Sequence, residues 1–160
     1  MHFIFSILII FVVFFTSHNI ALADSPKVEV EVNHVASIVE KFQERITLFF
    51  KFSKEDKFKY QKFLLEKRLA ELKYIIDGDN WDPIEETSSR YATTLGNFNN
   101  FVVSNKLSNN KVEIINIYER HGKILEELQK SFEFNSAFWM LLEHDINTIK
   151  IFSTKIREAI

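Results

Sequence analysis

Only three Gly and two Pro occur in 160 residues, so the chain lacks the turn-forming residues that an all-β fold requires. Its apolar residues instead recur at three- and four-residue spacings, which align them on one face of a helix. Phe58, Leu65, Leu69, Leu72 and Ile76 form one such stripe, and Ile84, Tyr91, Leu95, Phe98 and Val102 another. Val112, Ile115, Tyr118, Leu125 and Leu128 follow, and then Trp139, Leu142, Ile146, Ile149 and Ile156. An earlier stripe runs through Val28, Val32, Val35, Val39, Phe42, Ile46 and Phe49. The predicted fold class is all-α, an antiparallel bundle of four or five helices after an N-terminal signal peptide.

Local signals place the helix ends. The first helix is predicted over 33–50, within a helical domain spanning 33–160. Residues 24–32 stay open between strand and helix, because Val28, Val30 and Val32 also alternate with charge. Ser53, with Asp56 three residues on, is expected to cap the second helix, and Asp77-Gly78 to end it with Gly in the left-handed conformation. Asp82 is expected to cap the third, with Pro83 in its first turn and Glu85 completing a capping box. Gly96 inside that helix costs about 1 kcal/mol relative to Ala, which a close helix approach would explain. Polar residues 104–110 make the next break. Ser131, Asn135 and Ser136 make the last, ahead of a helix over 136–157.

The N-terminal segment carries a different signal. Phe3 to Phe15 is a 13-residue apolar run broken only by Ser6, and Ala21-Leu22-Ala23 precedes the first acid, Asp24. A bilayer span needs about 20 apolar residues, so the pattern fits a signal peptide over 1–23, cleaved between Ala23 and Asp24. Export to a periplasmic, cell-surface or secreted location is expected, with an N-terminal membrane anchor as the rival if the segment is retained. Twelve of the 17 Phe lie beyond this segment and need burial or pairing.

The residues present narrow the chemistry. There is no Cys, which removes disulfides, thiolate zinc sites and a cysteine nucleophile. Glu31 and His34 have the Glu-x-x-His spacing of di-iron bundles, yet the matching positions before His121 and His144 are Tyr118 and Leu141. An EF-hand starting at Asp77 would need Gly at its sixth and Glu at its twelfth position, where Asp82 and Ser88 stand. No Gly-x-Ser-x-Gly elbow or phosphate-binding Gly loop occurs. No catalytic residue, metal or cofactor is expected. A net charge of −2 also argues against nucleic acid as a partner.

Charge is unevenly distributed. Residues 41–73 hold ten Lys/Arg against five Asp/Glu, and residues 74–160 hold nine against thirteen. Mutual attraction of these halves within the fold is the favoured reading, with Phe58 continuing the Leu65, Leu69 and Leu72 stripe into the core. The alternative is a basic, Phe-rich helical hairpin on an anionic membrane surface, with Lys51, Lys54, Lys57, Lys59 and Lys62 as the contact residues.

Two segments carry a family resemblance. Residues 44–57, ERITLFFKFSKEDK, and Leu64-Leu65-Glu66-Lys67-Arg68-Leu69-Ala70-Glu71-Leu72 are similar to a bacterial extracytoplasmic helical domain family of unknown function. The second segment resembles that family's repeated Leu-Ala-Glu-x-Arg-Leu-Ala-Glu pattern, with Phe63 and Leu64 where small residues are expected. His121 with Ile124-Leu125-Glu126-Glu127-Leu128 gives a weaker echo of a later family helix. The resemblance implies an exported or membrane-anchored helical protein, in some members attached to anti-sigma factors, with no catalytic residues to carry over. The expected function is a non-enzymatic interaction or envelope-sensing module with a protein partner in the cell envelope.

Overall fold

The computed structural model describes residues 26–159, and the expected cleavage junction at Ala23 and Asp24 lies outside them. Within these residues the helices are α1 (Ile38–Phe49), α2 (Lys54–Asp77), α3 (Ile84–Ser104), α4 (Lys111–Gln129) and α5 (Ala137–Ala159). A 3-10 turn, Ser108–Asn110, leads into α4, and no strand forms among the described residues. The all-α bundle read from periodicity is the fold.

α2 packs along α3, α4 packs along α5, and α3 lies against α5. Each sequential pair runs antiparallel: Phe58 near the start of α2 meets Phe98 late in α3, while Arg90 early in α3 reaches Glu71 late in α2. The α2–α4 contact is parallel, since Lys62 and then Glu66 bond Glu113 and then Arg120. The four predicted stripes of α2 to α5 meet in one core, where Leu65, Leu69, Leu72, Leu95, Phe98 and Leu125 are fully buried. Trp81, Phe132 and Phe138 pack edge to face at 5.5–6.3 Å, pinning the α2–α3 connection to the α4–α5 connection.

Several local expectations are revised. α1 begins at Ile38, later than the pattern predicts, because Ser37 and Glu40 form a reciprocal capping box there. Residues 26–37 make neither strand nor helix, although Val28 and Val35 pack on the core. Gly78 has φ −88°, and the left-handed position is taken instead by Asp79 at φ 51°. Asp82 does not cap α3; the cap position is Pro83, with no side-chain hydrogen bond. A Cβ at Gly96 would meet nothing within 4 Å, so no close helix approach accounts for it. On α4 the inward face includes Ile114 and Ile117, while Val112 is exposed. Trp139 is half-buried and packs on Phe134 at 4.8 Å, leaving Leu142, Ile146, Ile149 and Ile156 to carry the α5 stripe.

Candidate interaction surface

α1 is inverted relative to an ordinary surface helix. At 100° per residue, Ile38, Val39, Phe42, Ile46 and Phe49 share one arc of about 100°. All five are exposed, and Phe50 and Phe52 in the following connection are exposed too. The stripe predicted to enter the core therefore faces outward; of the later Phe residues expected to be buried or paired, Phe49 and Phe50 pair edge to face at 5.5 Å, while Phe42 and Phe52 are exposed. Phe63 and Phe134 are also exposed, and of the Phe residues among the lysines only Phe58 reaches the core.

The opposite face of α1 is held by charge. Glu44 is buried and accepts a 2.7 Å bond from Lys67 Nζ and another from Arg68. Lys41 bonds Glu86 at 3.0 Å, and the Lys41 hydrogen bond and charge lower the Glu86 pKa. Just before α1, the Ala36 amide donates to Glu71 Oε1 at 3.2 Å. Glu40 accepts from the Ser37 amide at 2.8 Å and lies 3.0 Å from His34 Nε2; these bonds, the backbone one foremost, hold its carboxyl down at about 2.

Beneath α1 lies a cleft of about 260 Å³ whose floor includes Gln61, Arg68, Arg90, Thr93, Thr94 and Asn97. Gln61 Oε1 and Arg90 Nε are buried there without a protein partner. Turning the Phe face inward would break the Lys67 and Arg68 bonds to Glu44, at a cost of roughly 1–3 kcal/mol for each group left unsatisfied. A polar floor selects the polar face of α1.

The lysines singled out in the sequence take different places. Lys62 is half-buried between Glu113 at 2.9 Å and Glu29 at 3.5 Å; burial alone would lower its pKa, yet these acids raise it. Lys59 pairs with Glu55 at 3.1 Å, and Lys51 lies 5.6 Å from the centre of the Tyr60 ring. Lys54 and Lys57 join Arg45, Phe49, Phe52 and Phe101 around an open hollow. The anticipated attraction between the basic segment and the rest of the chain is present in the Lys41–Glu86 and Lys62–Glu113 pairs.

A second set of polar groups, not picked out by sequence reasoning, is interior. Glu71 is fully buried and takes 2.7 Å bonds from both Arg68 and Arg90. Glu66 lies 3.0 Å from His121 Nε2 and accepts from Arg120, while His121 Nδ1 is 3.1 Å from the Tyr91 hydroxyl. Burial pushes the Glu66 pKa up, but the His121 bond and the charges of His121 and Arg120 outweigh it and the net shift is downward. A carboxylate only accepts, so His121 Nε2 carries a proton. Tyr91 and His121 have no exposed surface, and these bonds tie α2, α3 and α4 together. The signal was present: Glu66, Arg68 and Glu71 are the charged positions of the repeated pattern noted above. Among the described residues, no group of three His, Asp or Glu is arranged to hold a metal, and no helix is long and apolar enough to cross a membrane.

The fold and this surface define a helical bundle with a buried ionic interior and an outward-facing apolar helix. The family described as "Domain of unknown function (DUF5667)" matches residues 38–135, more than half of the chain, and the protein belongs to it. No curated protein and no solved structure matches. The family match stops before α5, although Leu142, Ile146, Ile149 and Ile156 of α5 are part of the core.

Proposed function

We propose that this protein is a non-enzymatic docking module of the cell envelope, which binds its partner through the outward apolar face of α1. The observation that carries this reading is the inversion of α1, whose ion-paired face meets the bundle while Phe42, Phe49 and Phe52 stand in solvent. Exposed patches beyond a few hundred Å² mark interaction sites in folded proteins. Four Phe at 61–83% exposure, each with a surface of about 150–250 Å², present on the order of 500 Å² here. Export is supported by the 13-residue apolar run and the Ala21-Leu22-Ala23 pattern, and envelope sensing by the resemblance to extracytoplasmic domains attached to anti-sigma factors.

A photoreactive residue at Phe42 tests the docking face in cells. An adduct at position 42, absent from a control at Glu127 on α4, is the expected result. Labelling by water alone at position 42 would refute it. Intact mass tests export separately: the mature chain should begin at Asp24, whereas a full-length chain resistant to carbonate extraction would establish an anchor.

A further inference from the structure

The exposed Phe residues and the charge pattern of the docking face narrow its partner. Phe50 and Phe52, exposed in the α1–α2 elbow, extend the apolar arc of α1 into one ridge. Along this ridge the cations are available and the acids are engaged. Arg45, Lys54 and Lys57 have no carboxylate partner among the described residues, and with Phe49 and Phe52 they rim a hollow of about 810 Å³. Glu44 is held by Lys67 and Arg68, Glu40 by Ser37 and His34, Glu55 by Lys59, and Asp56 by Ser53. Residues 41–73 carry a net +5 while the whole chain carries −2, so the remainder carries −7 (−2 minus +5). The apolar ridge lies within this basic segment of the chain.

We infer that the α1–α2 elbow docks on an anionic lipid bilayer, with Phe42, Phe49, Phe50 and Phe52 inserted at the acyl boundary and Arg45, Lys54 and Lys57 on the headgroups. This assignment rests on the docking face proposed above. It fits the physics of interfacial helices, in which an apolar arc enters the headgroup region and flanking Lys and Arg reach the phosphates. Lys59 and Lys62 are excluded from the contact, because their charges are already neutralised by Glu55, Glu113 and Glu29.

The chain has no Cys, so an introduced Cys is a unique labelling site. Nitroxide is attached to Phe42→Cys, to Phe52→Cys and to a control Glu126→Cys in the full chain. Power saturation with oxygen and a polar nickel complex then compares phosphatidylcholine vesicles with and without about one-quarter phosphatidylglycerol. Positions 42 and 52 should become oxygen-accessible and nickel-protected only on the anionic vesicles, while position 126 stays aqueous. This signature should fade near 1 M salt, where the Debye length is about 3 Å. Arg45→Gln/Lys54→Gln/Lys57→Gln should weaken partitioning by about five-fold per residue, roughly 100-fold in all, with an unchanged circular dichroism spectrum. Aqueous readings at positions 42 and 52 on both vesicles would overturn the lipid assignment. The docking face itself would survive that result if the Phe42 photoadduct in cells is a protein, and would fall with it if no adduct forms.

Discussion

Asp145 on α5 exposes only 1% of its surface and accepts a 2.7 Å hydrogen bond from Ser88 Oγ. Burial disfavours its charged form and lifts the pKa from 3.8 to about 6, against the pull of the Ser88 bond and of His144. An acid whose pKa is higher in the folded state than in the unfolded one favours folding when protonated. Its contribution is fully present below the unfolded value and is lost as pH rises through the window from 3.8 to about 6. At 1.36 kcal/mol per unit, the loss reaches about 3 kcal/mol by neutral pH. Asp145→Asn removes this titration and keeps an oxygen to accept from Ser88. Thermal melts of both proteins between about pH 4 and 7.5 isolate the effect. The Tm of the variant should gain on wild type with rising pH, by about 6–12 °C over the whole range for a domain of this size. Glu40, Glu66 and Glu86 have lowered pKa values, act in the opposite sense at lower pH, and are common to both proteins. A constant offset from the altered amide would leave the slope untouched. Parallel Tm curves across the range would refute the assignment of a buried, proton-binding Asp145.

Glu71→Ala leaves the Arg68 and Arg90 guanidinium groups without their shared buried acceptor, and should cost about 3–5 kcal/mol in urea unfolding. A loss under about 1 kcal/mol would mean that the pair is solvated. Gly96→Ala has room for its methyl group and should stabilise α3 by up to about 1 kcal/mol, read as a higher urea midpoint; a lower midpoint would contradict the open space there. A chain ended at residue 135, where the family match stops, should show no cooperative melt, because Leu142, Ile146, Ile149 and Ile156 are removed from the core. A sharp two-state transition in that truncation would show that α1 to α4 suffice.

That the chain forms four or five helices, and several of their ends, were legible in the sequence because those signals are local. Ser53 accepts from the Asp56 amide at 2.9 Å, Ser136 accepts from the Trp139 amide at 3.3 Å, and α2 ends at Asp77 as the Asp-Gly pair predicts. Apolar periodicity likewise identified the core stripes of α2, α3 and α5, since residues spaced by three and four share a face in any helix. Periodicity does not state what a face meets. The α1 stripe has the same spacing as the others, yet the surface offered to it by α2 and α3 is built from Gln61, Arg68, Arg90, Thr93 and Thr94, and a polar floor repels Phe42 and Phe49. The buried charges follow the same logic. Glu66, Arg68 and Glu71 stand in the chain only as positions of the repeated family-like pattern, and become interior because α2 has α1, α3 and α4 around it. His121 and Asp145 look incidental in the chain, and gain their roles only when Tyr91 and Ser88 arrive from α3. The sequence determined which segments become helices and which residues share a face. The tertiary structure decided which faces are dry, because desolvation depends on neighbours tens of residues away that no local pattern encodes.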